Sequence, residues 1–320
     1  MIARNEGERL RRCLQSVVGE DRLVVYVDSG STDGSLEWAR EQELEVVELD
    51  PSIPFTAARA RNAGIARLEE LDPELELVQF VDGDCELIAG WLEAGVQELQ
   101  RRADVVIVCG RLRERHPEST IYQRLFDIEL DVPGGQATAC GGIFLVRAAA
   151  FRAVGGFRAD IVAGEEPELC ARLRKAGGRI WRLEADMARH DADITRFGQW
   201  WKRMVRGGHA YTEGFLLHRE PREARAVASF LAWGLLLPLV ALAGAWWSAG
   251  WSLLLLVLYP LQLLRIWHRE RAAGRENRLA LAQAFFMLVT KFAQVVGMGR
   301  FILSRFLGRQ PRLIEYKAST

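Results

Sequence analysis

Between Ala226 and Leu264 the chain carries no Asp, Glu, Lys, Arg or His. One helix over that run, at about 1.5 Å per residue, would be nearly twice the roughly 30 Å hydrocarbon core of a bilayer. The run therefore reads as a transmembrane helical hairpin over residues 226–267. Its turn falls in WWSAGW, residues 246–251, where small residues permit a reversal and Trp246, Trp247 and Trp251 suit the membrane–water interface. Both outer flanks are basic, with Arg219, Arg222 and Arg225 before the hairpin and Arg265, Arg269, Arg271, Arg275 and Arg278 after it. The positive-inside rule puts both flanks, and with them residues 1–225, on the cytoplasmic side of an inner membrane.

A third apolar helix, residues 279–307, carries Lys291 and Arg300 and gathers Gln283, Thr290, Lys291 and Gln294 on roughly one face. It reads as membrane-embedded or interfacial, with the interfacial placement favoured. Residues 196–225 open on RFGQWWKRMVRGGHAY, where aromatic and basic residues interleave. An amphipathic linker at the membrane surface and a soluble core helix both fit that pattern. The opening MIARNEGERL has no apolar core of a cleavable signal peptide.

The remaining 1–195 segment reads as one α/β domain. A 49% hydrophobic composition excludes a disordered chain, and a net charge of +0 with a pI near 7.0 gives no global signal for nucleic-acid binding. Cys13, Cys85, Cys109, Cys140 and Cys170 show no C-x-x-C pair or metal-ligand spacing, and read as reduced small hydrophobes. Short apolar runs at 22–28, 44–49, 77–82, 105–110, 142–147 and 179–184 predict strands. They alternate with helical patterns at 6–18, 33–42, 57–71, 89–102 and 165–176, and such alternation predicts a mainly parallel sheet with flanking helices. Residues 4–18 read as a loop and helix that should follow a strand, yet only Met1, Ile2 and Ala3 precede them, so most of a first strand is expected upstream of this start.

In VQFVDGDCEL, residues 78–87, an apolar strand runs into Asp82 and Asp84. Strand alternation would put both carboxylates on one side, an unfavourable pairing unless a cation or strong donors neutralise it. Oxygen ligands at a strand end suit Mg²⁺ or Mn²⁺ carrying substrate phosphates. A solvated Asp-Gly-Asp turn is the alternative.

YVDSGSTDGS, residues 26–35, likewise runs a strand into Asp28 and then a loop with helix caps expected at Ser31 or Asp33. Asp28 is placed to accept from a nucleobase, although an ordinary capped loop gives the same pattern. AARARNAGIARLEE, residues 57–70, sets Arg59, Arg61 and Asn62 at the front of a helix, either as a solvated basic face or near a diphosphate. In ACGGIFLVRAAAFRAVGGF, residues 139–157, Gly141 and Gly142 allow close backbone approach to a ligand, whereas Gly155 and Gly156 serve as a helix stop. Glu165 and Glu166 open the helix in AGEEPELCARLRKAGG, where the helix dipole alone favours acidic residues.

Taken in order, ARNEGERLRRCLQSV, VDSGSTDGS, AARARNAGIARL, VDGDCEL, CGGIFLVRAAAFRAVGGF and GEEPELCARLRKAG resemble family 2 inverting glycosyltransferases of the membrane-anchored bacterial type. The resemblance covers roughly residues 3–210. It implies the GT-A fold, a Rossmann-like α/β sheet binding a nucleotide-diphospho-sugar. Ala3, Arg4, Glu6 and Asp28 would lie at the nucleotide, and Arg61, Gly141 and Gly142 along the rest of the donor. Asp84 would be the direct metal ligand, with Asp82 near the ribose or the metal and His190 as a further metal or diphosphate contact. Glu166 would be the general base and Glu165 its neighbour.

The activity so implied is metal-dependent transfer, with inversion, to a lipid-linked or saccharide acceptor in cell-envelope polysaccharide or glycolipid synthesis. Polymerising members carry Q-x-x-R-W; here Gln199-Trp200-Trp201-Lys202-Arg203 departs from it, which favours transfer of a single sugar. Two rival readings remain at this level. An aspartate-nucleophile phosphatase also ends a strand in D-x-D, and a membrane-tethered protein could keep the fold and bind nucleotide-sugar without transfer.

Overall fold

The computed structural model describes residues 1–19 and 22–308. Two compact units divide the chain, Met1–Ile194 and a second that begins at Thr195.

The first unit alternates strands and helices: β1 (Ile2–Ala3), α1 (Glu8–Val17), β2 (Val25–Asp28), α2 (Ser35–Glu41), β3 (Glu45–Glu48), α3 (Ala57–Leu71), β4 (Leu77–Phe80), β5 (Cys85–Leu87), α4 (Trp91–Arg101), β6 (Val105–Glu114), α5 (Ile121–Leu130), β7 (Gly135–Ala137), β8 (Phe144–Arg147), α6 (Ala148–Ala153), α7 (Glu165–Lys175) and β9 (Arg179–His190). β1, β2 and β3 form a parallel sheet. A parallel bridge from Ile2 to Asp82 joins it to the second sheet, ordered β4-β8-β6-β9-β5 with β7 also on β9.

The parallel pairing expected from strand–helix alternation holds for that first half and for β6 on β9. β4 on β8, β6 on β8, β5 on β9 and β7 on β9 are antiparallel, which makes the whole a mixed sheet. Alternation predicts crossovers but not strand direction, and β5 and β7 are three-residue strands too short to show a period. Helices pack on the sheet through apolar faces: Leu10, Cys13, Leu14 and Val17 of α1 are all buried. Phe80, Phe144, Phe151 and Phe157 form an aromatic cluster, with ring centroids 5.1–5.6 Å from Phe80.

The second unit is helical: α8 (Phe197–His218), α9 (Pro221–Leu231), α10 (Leu237–Trp247), α11 (Leu258–Ala272) and α12 (Asn277–Phe306), with a π-helical turn over Ala232–Leu236 and a 3₁₀ segment over Trp251–Val257. Residues 196–225 fall within this second unit, as α8 and the first part of α9. The reversal falls at Ser248–Gly250, with Ala249 and Gly250 both at positive φ.

Among the described residues, three stretches are long and apolar enough to cross a membrane: Pro221–Trp247, Trp251–Ala272 and Asn277–Phe306, at mean hydropathies of 2.2, 1.2 and 1.7. The third qualifies as a span by length and composition as fully as the hairpin, although Lys291 and Arg300 favoured the interfacial placement. α8 and α12 meet where they lack side chains: a Cβ on Gly208 would lie 2.1 Å from the Gln294 carbonyl oxygen, and one on Gly297 2.0 Å from that of Val205. Small residues at such crossings let helix backbones close on each other without a hydrophobic driving force.

Candidate functional site

β2 ends in Asp28 and β4 runs on to Asp82, and β1 lies between them, pairing Ala3 with Asp28 and bridging Ile2 to Asp82. The two loops are thereby held at one edge of the sheet, the carboxyl end where α/β folds bind ligands.

Asp28 is 2% exposed and is occupied by its own loop. Oδ1 accepts the Tyr26 hydroxyl at 2.5 Å, and Oδ2 accepts the Gly30 and Ser31 backbone N–H groups at 2.9 Å each. Three of the roughly four acceptor positions of this carboxylate are filled from its own loop, so Asp28 organises that loop. The N-cap of α2 is Gly34 at positive φ, and Asp33 just before it accepts the N–H of Ser35, the first helical residue, at 3.1 Å. Ser31 and Asp33 also tie the 4–7 loop: Ser31 Oγ accepts from the Asn5 N–H at 3.0 Å and Asp33 Oδ2 from the Gly7 N–H at 2.9 Å. Arg4 is exposed in that loop, and Glu6 pairs with Arg9 at 2.8 Å. Beside them the buried Ser29 Oγ has no hydrogen-bond partner among the described residues, a polar atom suited to a ligand hydroxyl or base.

The acidic pair does not alternate along a strand, because the chain turns between its members, with the Cys85 N–H donating to the Asp82 carbonyl at 2.9 Å. Gly83 has to be glycine: a Cβ there would lie 2.5 Å from the Ala3 Cβ. The turn sends the two carboxylates to different partners. Asp82 Oδ1 accepts Arg61 Nη2 at 2.7 Å, and Arg61 Nη1 donates to Glu165 Oε1 at 2.8 Å. The Arg61 side chain is 3% exposed and lies over the Phe157 ring at 5.5 Å. Burial opposes its charge, but Asp82 and Glu165 outweigh burial and hold its pKa above the usual arginine value.

Arg61, expected along the donor, is thus enclosed between two carboxylates. Gly142 belongs to the same packing, since its Cβ would lie 2.4 Å from Asp82 Oδ2; its open space is filled by this chain's own carboxylate. Gly141, beside it, is exposed at φ +89. Arg59 and Asn62 turn elsewhere. Arg59 donates to the Ile53 and Asp50 carbonyls, and Asn62 braces both backbone groups of Phe157.

Asp84 faces His190. Register explains why: His190 sits opposite Cys85 on one side and opposite Glu114 on the other, so β5, β9 and β6 deliver three polar side chains to one point. His190 Nε2 lies 3.3 Å from Asp84 Oδ2, and Nδ1 3.1 Å from Glu114 Oε2. Burial lowers the imidazole pKa, but the charges and hydrogen bonds of Asp84 and Glu114 outweigh it and raise it from 6.5 to about 10. Glu114, whose side chain is 0% exposed, escapes a sequence reading because nothing in RLRERHP marks it. Only the β6–β9 register could have found it.

A crevice beside Asp84 is lined by Arg9, Arg12, Arg115 and Arg189 together with Glu86 and Asp191. The Arg115 pKa is lowered, first by burial and then by Arg12, with Asp191 opposing and Arg189 adding to it; Arg12 pairs with Asp191 at 3.2 Å and Arg115 with Glu86. Asp84, His190 and the Cys85 thiol place their ligand atoms within 4.8 Å of one another; Asp82, held by Arg61, is not one of that group, so Asp84 is the carboxylate there that could hold Mn²⁺ or Mg²⁺ completed by water and phosphate.

Glu165 and Glu166 part company at the start of α7. Glu165 turns to Arg61, whereas Glu166 Oε1 accepts the Cys140 N–H at 2.5 Å and lies 3.0 Å from Cys140 Sγ and 2.9 Å from Cys170 Sγ.

The strand order, the D-x-D turn at its carboxyl edge and the acidic helix start are those of a GT-A glycosyltransferase domain. Residues 1–155 match the family described as "Glycosyl transferase family 2". Glycosyltransferase AglE of Haloferax volcanii is 25% identical over 230 residues, covering 67% of this chain and 72% of the relative. The structure of mannosyltransferase PcManGT from Pyrobaculum calidifontis, solved with GDP-Man and Mn²⁺, has a similar fold at TM-score 0.62 and 17% identity. That similarity spans 95% of this chain and 86% of the other.

Proposed function

We propose that this chain is a membrane-anchored, metal-dependent glycosyltransferase. It moves a single sugar from a nucleotide-diphospho-sugar to a lipid-linked or saccharide acceptor at the cytoplasmic face of an inner membrane, with inversion. The observation that carries this reading is the Arg61 bridge, which joins Asp82 of the D-x-D turn, 21 residues from Arg61 in sequence, to Glu165 of the acidic helix start, 104 residues from it. An aspartate-nucleophile phosphatase gives no role to the acidic start of α7 that Arg61 joins to Asp82. A GDP-linked sugar is the first donor to try, since PcManGT was solved with GDP-Man and Mn²⁺.

In this reading Asp84 and His190 hold the divalent cation, which when bound neutralises charge on the leaving diphosphate. Glu114 keeps the His190 ring oriented with Nε2 towards Asp84. The Arg9, Arg12, Arg115 and Arg189 crevice supplies further positive charge for phosphate oxygens. Arg61 holds Asp82 and Glu165 in place, and the 28–31 loop shapes the nucleotide end. Inversion needs the acceptor hydroxyl deprotonated as it attacks the anomeric carbon from the opposite face, a task for a carboxylate within hydrogen-bond reach. Glu166 takes that proton, held by the Cys140 N–H beside the Gly141–Gly142 backbone.

The test compares donor binding with turnover. Glu166→Gln should bind donor as the wild type does and transfer about 10²- to 10⁴-fold more slowly. Unchanged transfer would remove Glu166 from this role, and a polyprenyl phosphate acceptor, already ionised, would then be the acceptor to test.

A further inference from the structure

Cys140, Glu166 and Cys170 meet in the interior of the first unit, with exposures of 4%, 5% and 0%. Glu166 Oε1 lies 3.0 Å from Cys140 Sγ and 2.9 Å from Cys170 Sγ, and the two sulfurs are 3.6 Å apart. Tetrahedral Zn²⁺, at about 2.3 Å to sulfur and 2.0 Å to oxygen, spaces its ligands at about 3.8 Å for S–S and 3.5 Å for S–O. The observed triangle is within roughly half an ångström of that figure. Its chemistry differs from the D-x-D corner: two thiols and one carboxylate select a soft or borderline cation, while carboxylates with water suit Mg²⁺ or Mn²⁺. Cys140 is next to exposed Gly141 in an irregular segment, which gives the site a side from which it can be reached.

We propose that Cys140, Cys170 and Glu166 form a second cation site, for a thiophilic divalent metal such as Zn²⁺, separate from the donor's metal. Binding replaces the two thiol protons, which leave to solvent, with two metal–sulfur bonds and one metal–oxygen bond; no electron is transferred. A fourth position is left for water. Because the oxygen ligand belongs to Glu166, the occupied site withdraws the carboxylate to which proton abstraction is assigned above. The inhibitory consequence rests on that assignment; the metal site does not.

The test uses the full metal-free chain titrated with Cd²⁺ and Co²⁺, reading the thiolate-to-metal absorption, with transfer assayed at saturating Mn²⁺ with and without Zn²⁺. One equivalent should develop the band. Cys140→Ser and Cys170→Ser should each lose it, with affinity falling by at least the roughly 10- to 100-fold that loss of an outer-shell partner costs. Cys13→Ser, folded to the same degree by circular dichroism, should keep it. Should a serine variant misfold, Glu166→Gln, which retains both thiols, should keep the absorption and bind more weakly. No band in the wild type, or one that survives in both serine variants, overturns the site. Zinc inhibition that excess Mn²⁺ relieves overturns the inhibitory consequence, since the ion would then be acting at Asp84. A band lost in both variants alongside zinc-insensitive transfer supports the site and removes Glu166 from proton abstraction.

Discussion

β2 and β4 make the same sequence statement, an apolar strand entering an aspartate and a tight polar loop, and they use it in opposite ways. Asp28 is satisfied by Tyr26, Gly30 and Ser31, all within three residues, and stabilises its own loop. Asp82 and Asp84 are satisfied by Arg61 and His190, which come from α3 and the end of β9. A carboxylate with local partners organises backbone, whereas one whose partners come from distant elements is held by the whole fold and is costly to leave unpaired. In the proposed function the second kind marks the reacting corner, and the first kind frames it.

The contrast can be broken by substitution. Asp84→Asn should give the largest effect: losing a metal contact worth several kcal/mol to the departing diphosphate should slow transfer by about 10³-fold or more. Saturation with Mn²⁺ should not restore the rate. Next comes Arg61→Met, which strands Glu165 and the partly exposed Asp82 without their cation and should destabilise the first unit by about 3 kcal/mol in urea unfolding. A loss below about 1 kcal/mol would mean that the bridge is no stronger than a surface pair.

Glu114→Gln should lower Mn²⁺ affinity about 10- to 100-fold by releasing the His190 ring, read by calorimetry, while donor binding without metal stays as it was. Asp28→Asn should be mildest, about 1–2 kcal/mol of stability from weakened hydrogen bonds, with Mn²⁺ affinity unchanged. A fall in Mn²⁺ affinity for that variant would erase the distinction between the two loops.

Local signals carried much of the fold. Ala57–Leu71 folds over the span its pattern predicts, and Thr56 caps it by accepting the Arg59 N–H. β5 and β7 were illegible because three residues hold no period, and α5 was missed although Thr120 caps it and Phe126 faces inward. The candidate residues of the site stood out one by one as Asp28, Asp82, Asp84, Glu165, Glu166 and His190. Their pairing did not, because it depends on β6–β9 register and on α3 meeting α7, contacts between residues 76 to 104 apart. Hence Arg61 read as a ligand contact and proved to be a bridge, and Glu114 did not register at all.

The central claim is that the Asp82–Asp84 corner holds a nucleotide-sugar through a divalent metal. The most direct measurement is the melting temperature of the full chain, wild type and Asp84→Asn, with GDP- and UDP-linked sugars in the presence and absence of Mn²⁺. At a hundred times Kd a true donor adds about 2.7 kcal/mol of stability through linkage. The account predicts an upward shift with at least one donor, only when Mn²⁺ is present, and its loss in Asp84→Asn. A shift of equal size without Mn²⁺, or one that Asp84→Asn retains, would contradict it.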